Sequence, residues 1–367
     1  MRTHQKTASL RDQLSVLLPI IAPELLSANA SARITRWAAD FPPVAGMVEA
    51  HLGGDLPRGD LLLRFPRGGP AIDGPADGPV WARLREFDRD WARPGSSLAA
   101  FGQTWLEFDL PDDPSATELP IPSFFADLDL APGNTAGDQI AAVRAALAIL
   151  RAGAPAPLDL VSRCVGELPP GARLLSLGLM FSRPTDAVRV CLADLRADDV
   201  PAYLARIGWA GSAELLRAVG DRLAGFTSTV ALALDVDSVV RPRLGVEYHL
   251  EVRGGRLRGS VERWAPFLDR LVTDGLCAPH KRDPLLACIG FDRDPTGWPA
   301  ELRAAAQRHG PDVLSVLMCR LNHVKVVVEP GRPTEAKAYL QLTHDRLRID
   351  PVTQQADLTM TPLPDGD

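Results

Sequence analysis

Pairs of strand-like segments, separated by helical segments, recur along the 367 residues of the chain. In each strand-like segment apolar residues alternate with polar or small ones, as expected of a β-strand with two different faces. The strand-like segments are 59–65, 103–110, 123–128, 173–182, 187–194, 229–237, 241–251 and the two arms of 323–344. The helical segments between them are 136–153, 198–225, 261–290 and 301–310. This element order predicts an antiparallel sheet that carries its helices on one side.

The number of strands limits the shape of such a sheet. A sheet of nine or more strands tends to curl or close, and closure also removes its exposed edges. We therefore predict an α+β fold, in which repeated ββα units form an antiparallel β-barrel of about ten strands surrounded by helices. An open sheet with helices on one side and solvent on the other satisfies the same alternation, so the pattern alone leaves that alternative open.

In a closed barrel the apolar strand faces meet the helices, and the mixed faces meet one another in a central lumen. The hairpin 323–344 shows the contrast, because Ala338 and Leu340 lie on one face of its second arm and Lys337 and Tyr339 on the other. The residues assigned to the lumen are Trp105, Glu107, Asp109, Arg189, Asp235, Arg243, Glu247, His249, Lys325, Lys337, Tyr339 and Gln341. In an open sheet the same residues would simply face water.

The sequence divides into three parts. Residues 1–58 are interpreted as an N-terminal helical segment that packs on the barrel, and Ser9 and Asp12 have the spacing of a helix-capping pair. Residues 59–350 are predicted to form a single barrel domain, followed by a polar tail at 351–367.

Composition argues against several classes of protein. The formal net charge is −6, whereas a nucleic-acid-binding protein needs clustered basic residues. No apolar run approaches the roughly 20 residues of a membrane span. Five cysteines, an odd number without CxxC spacing, indicate reduced thiols and a cytoplasmic protein. The apolar run 14–26 loosely resembles a signal peptide, but Glu24 and two prolines interrupt it, which favours a helix packed on the surface.

Several common catalytic motifs are absent from the sequence. GxxxxGK[ST], GxGxxG, HExxH and GxSxG do not occur, which argues against nucleotide-binding, dinucleotide-binding, zinc-protease and α/β-hydrolase functions. The aspartate pairs at 112–113 and 198–199 do not form the helical DDxxD motif of all-helical terpene synthases.

The element order across residues 59–345 resembles that of the ABBA, or PT-barrel, prenyltransferases. Strands of that family often carry a Lys-x-Tyr step facing the lumen, and Lys337 and Tyr339 form such a step, with Lys325 on the paired strand. The resemblance implies about ten strands around a solvent-filled core. It also implies an enzyme of natural-product metabolism that transfers a prenyl group from an allylic diphosphate, such as dimethylallyl or geranyl diphosphate, to an aromatic small molecule or a peptide side chain.

The resemblance also implies roles for the lumen residues. A diphosphate leaving group needs several cationic donors, and those implied here, together with one tyrosine, are Arg189, Arg243, Lys325, Lys337 and Tyr339. A carboxylate would take the proton that the acceptor loses, with Glu107 as the first candidate and Glu247 as the second. The substrate pocket is implied to contain Trp105, Asp109, His249 and Gln341. No metal ligands are assigned, and a need for Mg²⁺ is left open.

Two other functions fit the same pattern. The first is a non-catalytic barrel or sheet protein that binds a small molecule or a peptide partner. The second is a different enzyme on the same barrel, which would use Glu107, Asp109, Glu247 and His249 for acid–base chemistry.

Overall fold

A computed structural model describes residues 8–74, 77–111, 116–129, 135–152, 157–250, 258–307, 313–332 and 334–348. Within these residues the chain forms eleven β-strands. The strands are β1 Ala45–His51, β2 Gly59–Pro66, β3 Phe101–Phe108, β4 Ser123–Leu128, β5 Arg173–Leu179, β6 Val188–Arg196, β7 Thr229–Val236, β8 Val240–Tyr248, β9 Gly290–Asp292, β10 Val313–Val328 and β11 Glu335–Arg348.

Ten of these strands close into an antiparallel barrel. Each of β1 to β7 pairs with the strand that follows it in sequence, β8 pairs with β10, and β10 pairs with β11. The barrel closes because β11 also pairs with β1, in a register that places Glu49 opposite Tyr339. The short β9 pairs with residues 317–319, in the first half of β10. The predicted barrel of about ten strands is therefore confirmed, and the open-sheet alternative is wrong.

Ten α-helices are found among the described residues; two precede β1, and the other eight lie between later strands. They are α1 Leu10–Leu17, α2 Ala28–Trp37, α3 Pro79–Ala92, α4 Ala136–Leu150, α5 Leu158–Gly166, α6 Val200–Ile207, α7 Ala213–Leu223, α8 Arg258–Thr273, α9 Pro279–Ala287 and α10 Ala300–Gln307. Ser9 and Asp12 cap α1 as predicted, since each side chain accepts a hydrogen bond from the other's backbone N–H. None of the described helices is long and apolar enough to cross a membrane.

The main hydrophobic core lies between the barrel wall and the helices. On β2 and β3 the outward residues Leu61, Leu63 and Leu106 are fully buried in it. Phe87 of α3 packs edge-on against Phe124 of β4, with ring centroids 5.0 Å apart. Burial of each such side chain stabilises the fold by about 1.5–3 kcal/mol, so the apolar strand faces hold the helices in place.

The N-terminal part of the barrel differs from the sequence interpretation. The segment 1–58 contains α1 and α2 as expected, but it also contains β1, which closes the barrel between β2 and β11. The barrel thus begins at Ala45 rather than at residue 59. The strand was missed because its outward positions are Gly46, Val48 and Ala50, which give little apolar contrast. The tail at 351–367 lies outside the described residues.

Candidate active site

The inward strand faces converge on a lumen that has its own small apolar cluster. Met47, Leu62, Trp105 and Tyr339 contact one another there, and Phe125 packs against them. Trp105 remains 9% exposed and Leu62 8%, whereas their outward neighbours Leu106 and Leu63 are at 0%. The inner face of the wall is therefore slightly more accessible than the outer face, although both are buried.

The predicted site residues lie mainly on this inner face. Those that the strands place in the lumen are Trp105, Glu107, Arg189, Arg243, Glu247, Lys325, Lys337, Tyr339 and Gln341. Asp109 and His249 each follow the last residue of their strand, so they lie at the ends of the barrel wall. The His249 side chain is 43% exposed, more than a pocket residue was expected to be.

All four cations predicted to bind diphosphate lie near carboxylates on neighbouring strands, and three of them approach these carboxylates to 2.6–3.1 Å. Lys325 Nζ lies 2.9 Å from Glu247 Oε1. Arg189 donates two hydrogen bonds to Asp235, of 2.7 and 3.1 Å. Lys337 Nζ donates to Glu49 Oε1 at 2.6 Å. These pairs offset much of the charge of the lumen before any ligand binds.

Arg243 differs from the other predicted cations. Its Nη1 atom lies 3.6 Å from Asp235 Oδ2, and this buried atom has no hydrogen-bond partner among the described residues. Burial, together with the positive charges of Arg189 and Arg183, lowers the pKa of Arg243. A buried, positively charged N–H group is costly to leave without a hydrogen bond, so this atom marks a place for an acceptor.

Arg183 was missed by the sequence analysis. It lies in the turn after β5, where Nη2 donates to Glu107 at 2.8 Å and to Asp109 at 2.7 Å, and Nε donates to Asp109 at 3.2 Å. Turn residues carry no strand alternation, so the pattern could not place this side chain. Alternation gives no signal for it, because Arg183 lies beyond Leu179, the last residue of β5. With Arg189 and Arg243 it forms a group of three guanidinium groups, called here the arginine cluster.

The two predicted proton acceptors have opposite electrostatic environments. Burial and the nearby charges of Glu49 and Asp109 raise the pKa of Glu107, against the opposing effect of Arg183. Burial also favours the neutral form of Glu247, but the charge of Lys325 opposes it, and the pKa of Glu247 lies well below its usual range. A carboxylate with a raised pKa is the better proton acceptor, so the structure distinguishes Glu107 from Glu247.

Glu49 is a second residue that the sequence analysis missed. Its carboxylate is 3% exposed and accepts hydrogen bonds from Lys337 and from the Tyr339 hydroxyl. Burial opposes its ionisation, but Lys337, Tyr339 and His51 hold the pKa of Glu49 well below its usual range. Glu49 therefore fixes both members of the Lys-x-Tyr step in the wall of the lumen.

A ladder of rings lines one side of the lumen. His323 stacks on Tyr339 with centroids 4.1 Å apart and an angle of 17° between the rings, and His249 lies 4.8 Å from His323. Burial lowers the pKa of His323 to about 3, so its ring is neutral near pH 7. Trp105 adds a further ring, held by a hydrogen bond of 2.8 Å from Nε1 to Asp127. This group of rings includes His323, which the sequence analysis did not assign to the site.

Polar groups also surround Gln341, which follows Tyr339 on the inner face of β11. Gln341 Oε1 accepts hydrogen bonds from Arg320 at 2.8 Å and from Asn322 at 3.3 Å. A β-bulge between Leu321 and His323 shifts the alternation of β10, which brings Arg320 opposite Gln341. A cavity of about 490 Å³ lies where β3 and β5 begin and β4 ends. It is lined by Gly102, Gln103, Asp127, Leu128, Asp129, Arg173 and Leu175.

The side chains of Glu49, His51 and Asp60 lie close enough together in space to bind one metal ion. One potential ligand atom from each side chain lies within 4.8 Å of the other two. Glu49 and Asp60 are buried, and His51 is half-buried at the end of β1.

No family model matches this sequence, and no curated protein is similar to it. Solved structures of prenyltransferases are similar in fold. The 5-dimethylallyltryptophan synthase from Streptomyces coelicolor is 17% identical over 91% of this chain and 98% of its own, with a TM-score of 0.48. The prenyltransferase PriB is 16% identical over 91% and 96%, with a TM-score of 0.49. The 6-dimethylallyltryptophan synthase from Micromonospora olivasterospora is 17% identical over 90% and 95%, with a TM-score of 0.44.

Proposed function

We propose that the chain is an enzyme that transfers a prenyl group from an allylic diphosphate to an aromatic small molecule inside the barrel lumen. The observation that carries this proposal is the arginine cluster, in which Arg243 Nη1 is buried and has no hydrogen-bond partner among the described residues. A diphosphate presents several anionic oxygens, and guanidinium groups bind such oxygens through charge-assisted hydrogen bonds. Dimethylallyl diphosphate is the first donor to test, and geranyl diphosphate is the second.

The first chemical step breaks the bond between the allylic carbon and the diphosphate oxygen. The electron pair stays on the diphosphate, where the arginine cluster stabilises the added charge. The resulting allylic cation needs π faces and the exclusion of water. Tyr339, the neutral His323 ring and Trp105 supply such faces, and they are only 5–9% exposed. A neutral imidazole matters here because an imidazolium would repel the cation.

The second step forms a carbon–carbon bond between the cation and the aromatic acceptor. The acceptor ring then loses a proton and becomes aromatic again. Glu107 accepts that proton in this proposal, because it lies on the lumen face and its pKa is raised. Glu247 is less suited to this role, because Lys325 stabilises its charged form.

Non-catalytic binding of a small anion is the second candidate function. The observation in its favour is that Lys325, Lys337 and Arg189 already have carboxylate partners. Such a lumen could bind an anion, but it would lack the excess positive charge that stabilises a departing diphosphate. The two functions differ in whether a bound allylic diphosphate reacts.

The test combines binding with product analysis. Purified protein is titrated with dimethylallyl and geranyl diphosphate, with and without Mg²⁺, by calorimetry and by thermal unfolding. A ligand at about 100 times its Kd stabilises the native state by about 2.7 kcal/mol, which raises the Tm. Mixtures with indole, tryptophan, phenol and aromatic-peptide acceptors are then searched for prenylated products by mass spectrometry. Binding with a product supports the enzyme, binding without any product supports the second candidate, and the absence of binding contradicts both.

A further inference from the structure

One end of the barrel brings together side chains whose atoms face one another at unusual distances. His51 Nε2, at the end of β1, lies 3.5 Å from Glu49 Oε1 and 3.5 Å from Asp60 Oδ2 of β2. Charge-assisted hydrogen bonds between such groups measure about 2.7–2.9 Å, so these three atoms face one another without close contact. A tetrahedral ion with ligand distances of about 2.1 Å separates its ligand atoms by about 3.4 Å. The two measured separations therefore suit a small cation between the three atoms.

Neighbouring groups orient the three side chains toward this point. His51 Nδ1 lies 2.6 Å from Glu335 Oε1, at the start of β11, which leaves Nε2 facing the carboxylates. Asp60 Oδ1 accepts a hydrogen bond of 2.8 Å from the Leu110 N–H, which leaves Oδ2 facing His51. A histidine that binds a metal through one nitrogen usually donates the other N–H to a carboxylate. Glu335 thus occupies the position of such an orienting carboxylate.

We propose that Glu49, His51 and Asp60 bind a divalent transition-metal ion, with Zn²⁺ as the best match. An imidazole with two carboxylates is a ligand set of Zn²⁺, and a fourth position remains open for water. Mg²⁺ fits less well, because it prefers an octahedral set of oxygen ligands. Glu49 Oε1 already accepts from Lys337, but a carboxylate oxygen has two lone pairs and can serve both. This proposal does not depend on prenyl transfer.

The site would link three parts of the barrel. Glu49 and His51 belong to β1, Asp60 to β2, and the orienting Glu335 to β11. A bound ion would therefore fasten the strand that closes the barrel to both of its neighbours. Because Glu49 also holds Tyr339, the ion would restrain one ring of the lumen wall as well.

The test measures metal binding directly. Full-length protein without a polyhistidine tag is treated with a chelator, dialysed, and titrated with Zn²⁺ by calorimetry, and with Co²⁺ by visible absorption. We expect one Zn²⁺ per chain, a Co²⁺ spectrum of the intense tetrahedral type, and binding of Mg²⁺ at least a hundredfold weaker. His51→Gln and Asp60→Asn should each weaken Zn²⁺ binding at least a hundredfold. Glu335→Gln should weaken it about ten- to hundredfold without changing the stoichiometry, because it acts through His51.

His280→Gln is the matched control, because this histidine is exposed on α9. Circular dichroism melting of each variant shows whether it is folded. The proposal is overturned if the wild-type protein binds no Zn²⁺. It is also overturned if the His51→Gln and Asp60→Asn variants are folded and bind Zn²⁺ as tightly as the wild type. Loss of binding in His280→Gln would equally overturn it by locating the ion at the surface. No diphosphate is used, so the outcome is separate from that of the prenyl-transfer experiment.

Discussion

Lys325 and Glu247 form an ion pair of 2.9 Å inside the lumen, between neighbouring strands, with side chains only 9% and 10% exposed. The pair shows how the barrel tolerates charges on its inner face: strands that carry a buried cation adjoin strands that carry a carboxylate. Arg189 with Asp235 repeats the arrangement on β6 and β7. Because buried charges are costly when unpaired, these residues maintain the fold as well as shape the lumen.

The Lys325–Glu247 pair leads to the first prediction. Lys325→Met leaves the Glu247 carboxylate without its closest cation, so we expect the free energy of unfolding to fall by about 3–5 kcal/mol. The double variant Lys325→Met with Glu247→Leu removes both charges and should recover most of that loss. Urea unfolding of the single and double variants measures both effects. Additive losses in the double variant would show that the two side chains do not stabilise each other.

The second prediction concerns Arg243. Arg243→Gln removes the buried donor that lacks a hydrogen bond, so we expect it to weaken dimethylallyl diphosphate binding about ten- to hundredfold, equivalent to about 1.4–2.8 kcal/mol. The free energy of unfolding should change by less than about 1 kcal/mol, because Asp235 keeps its two hydrogen bonds from Arg189 and loses only a 3.6 Å ion pair. Calorimetry gives the affinity and urea unfolding gives the stability.

Arg206→Gln is the control for this experiment. Arg206 pairs with Glu167 on the outer helices and is 43% exposed, so its removal should leave diphosphate affinity unchanged. Equal affinity in the wild type and in Arg243→Gln would remove the main support for the arginine cluster as the diphosphate site.

The third prediction concerns proton transfer. We expect Glu107→Gln to lower kcat for prenyl transfer about 10²- to 10⁴-fold, with little change in the affinity for the diphosphate. The raised pKa of Glu107 places the acid limb of the wild-type pH–rate profile above the usual glutamate pKa of 4.5. The rate should rise with pH along that limb as the carboxylate ionises, and the limb should disappear in Glu107→Gln. A profile and kcat that remain unchanged would exclude Glu107 as the proton acceptor.

Much of the fold could be predicted from sequence because most strands have clear two-residue alternation. The strands β3, β6, β7, β8 and β11 carry bulky apolar residues on one face, which also indicates correctly which face meets the helices. The strand β1 could not be found in this way, since its outward residues are small. Because β1 was not predicted, Glu49 was not assigned to the lumen.

The candidate site was predicted less completely than the fold. Alternation assigns a residue to a face, but it carries no information about residues in turns or beyond a bulge. Arg183 lies in a turn, and Arg320 enters the lumen only because the bulge before His323 shifts the register. Alternation also gives no pairings between strands, so it could not show that Lys337 meets Glu49 while Arg243 keeps a buried donor without a hydrogen bond.

The last prediction uses the buried His323. Its pKa is about 3 in the folded protein and about 6.5 in an unfolded chain, because burial and the charges of His249 and Lys325 oppose its protonation more than Glu247 favours it. Between these values the unfolded state binds the proton and the folded state does not. The free energy of unfolding should therefore fall as the pH is lowered from 6.5 to 5, by about 1.5 kcal/mol.

The variant His323→Phe keeps a ring against Tyr339 but does not titrate, so it should lose this part of the pH dependence. Urea unfolding of both proteins at pH 6.5 and pH 5 gives the difference, in which contributions from carboxylates and from other histidines common to both proteins cancel. If His323→Phe kept the full wild-type slope, His323 would have the same pKa in the folded and unfolded states, which would contradict the lowered pKa of the buried ring.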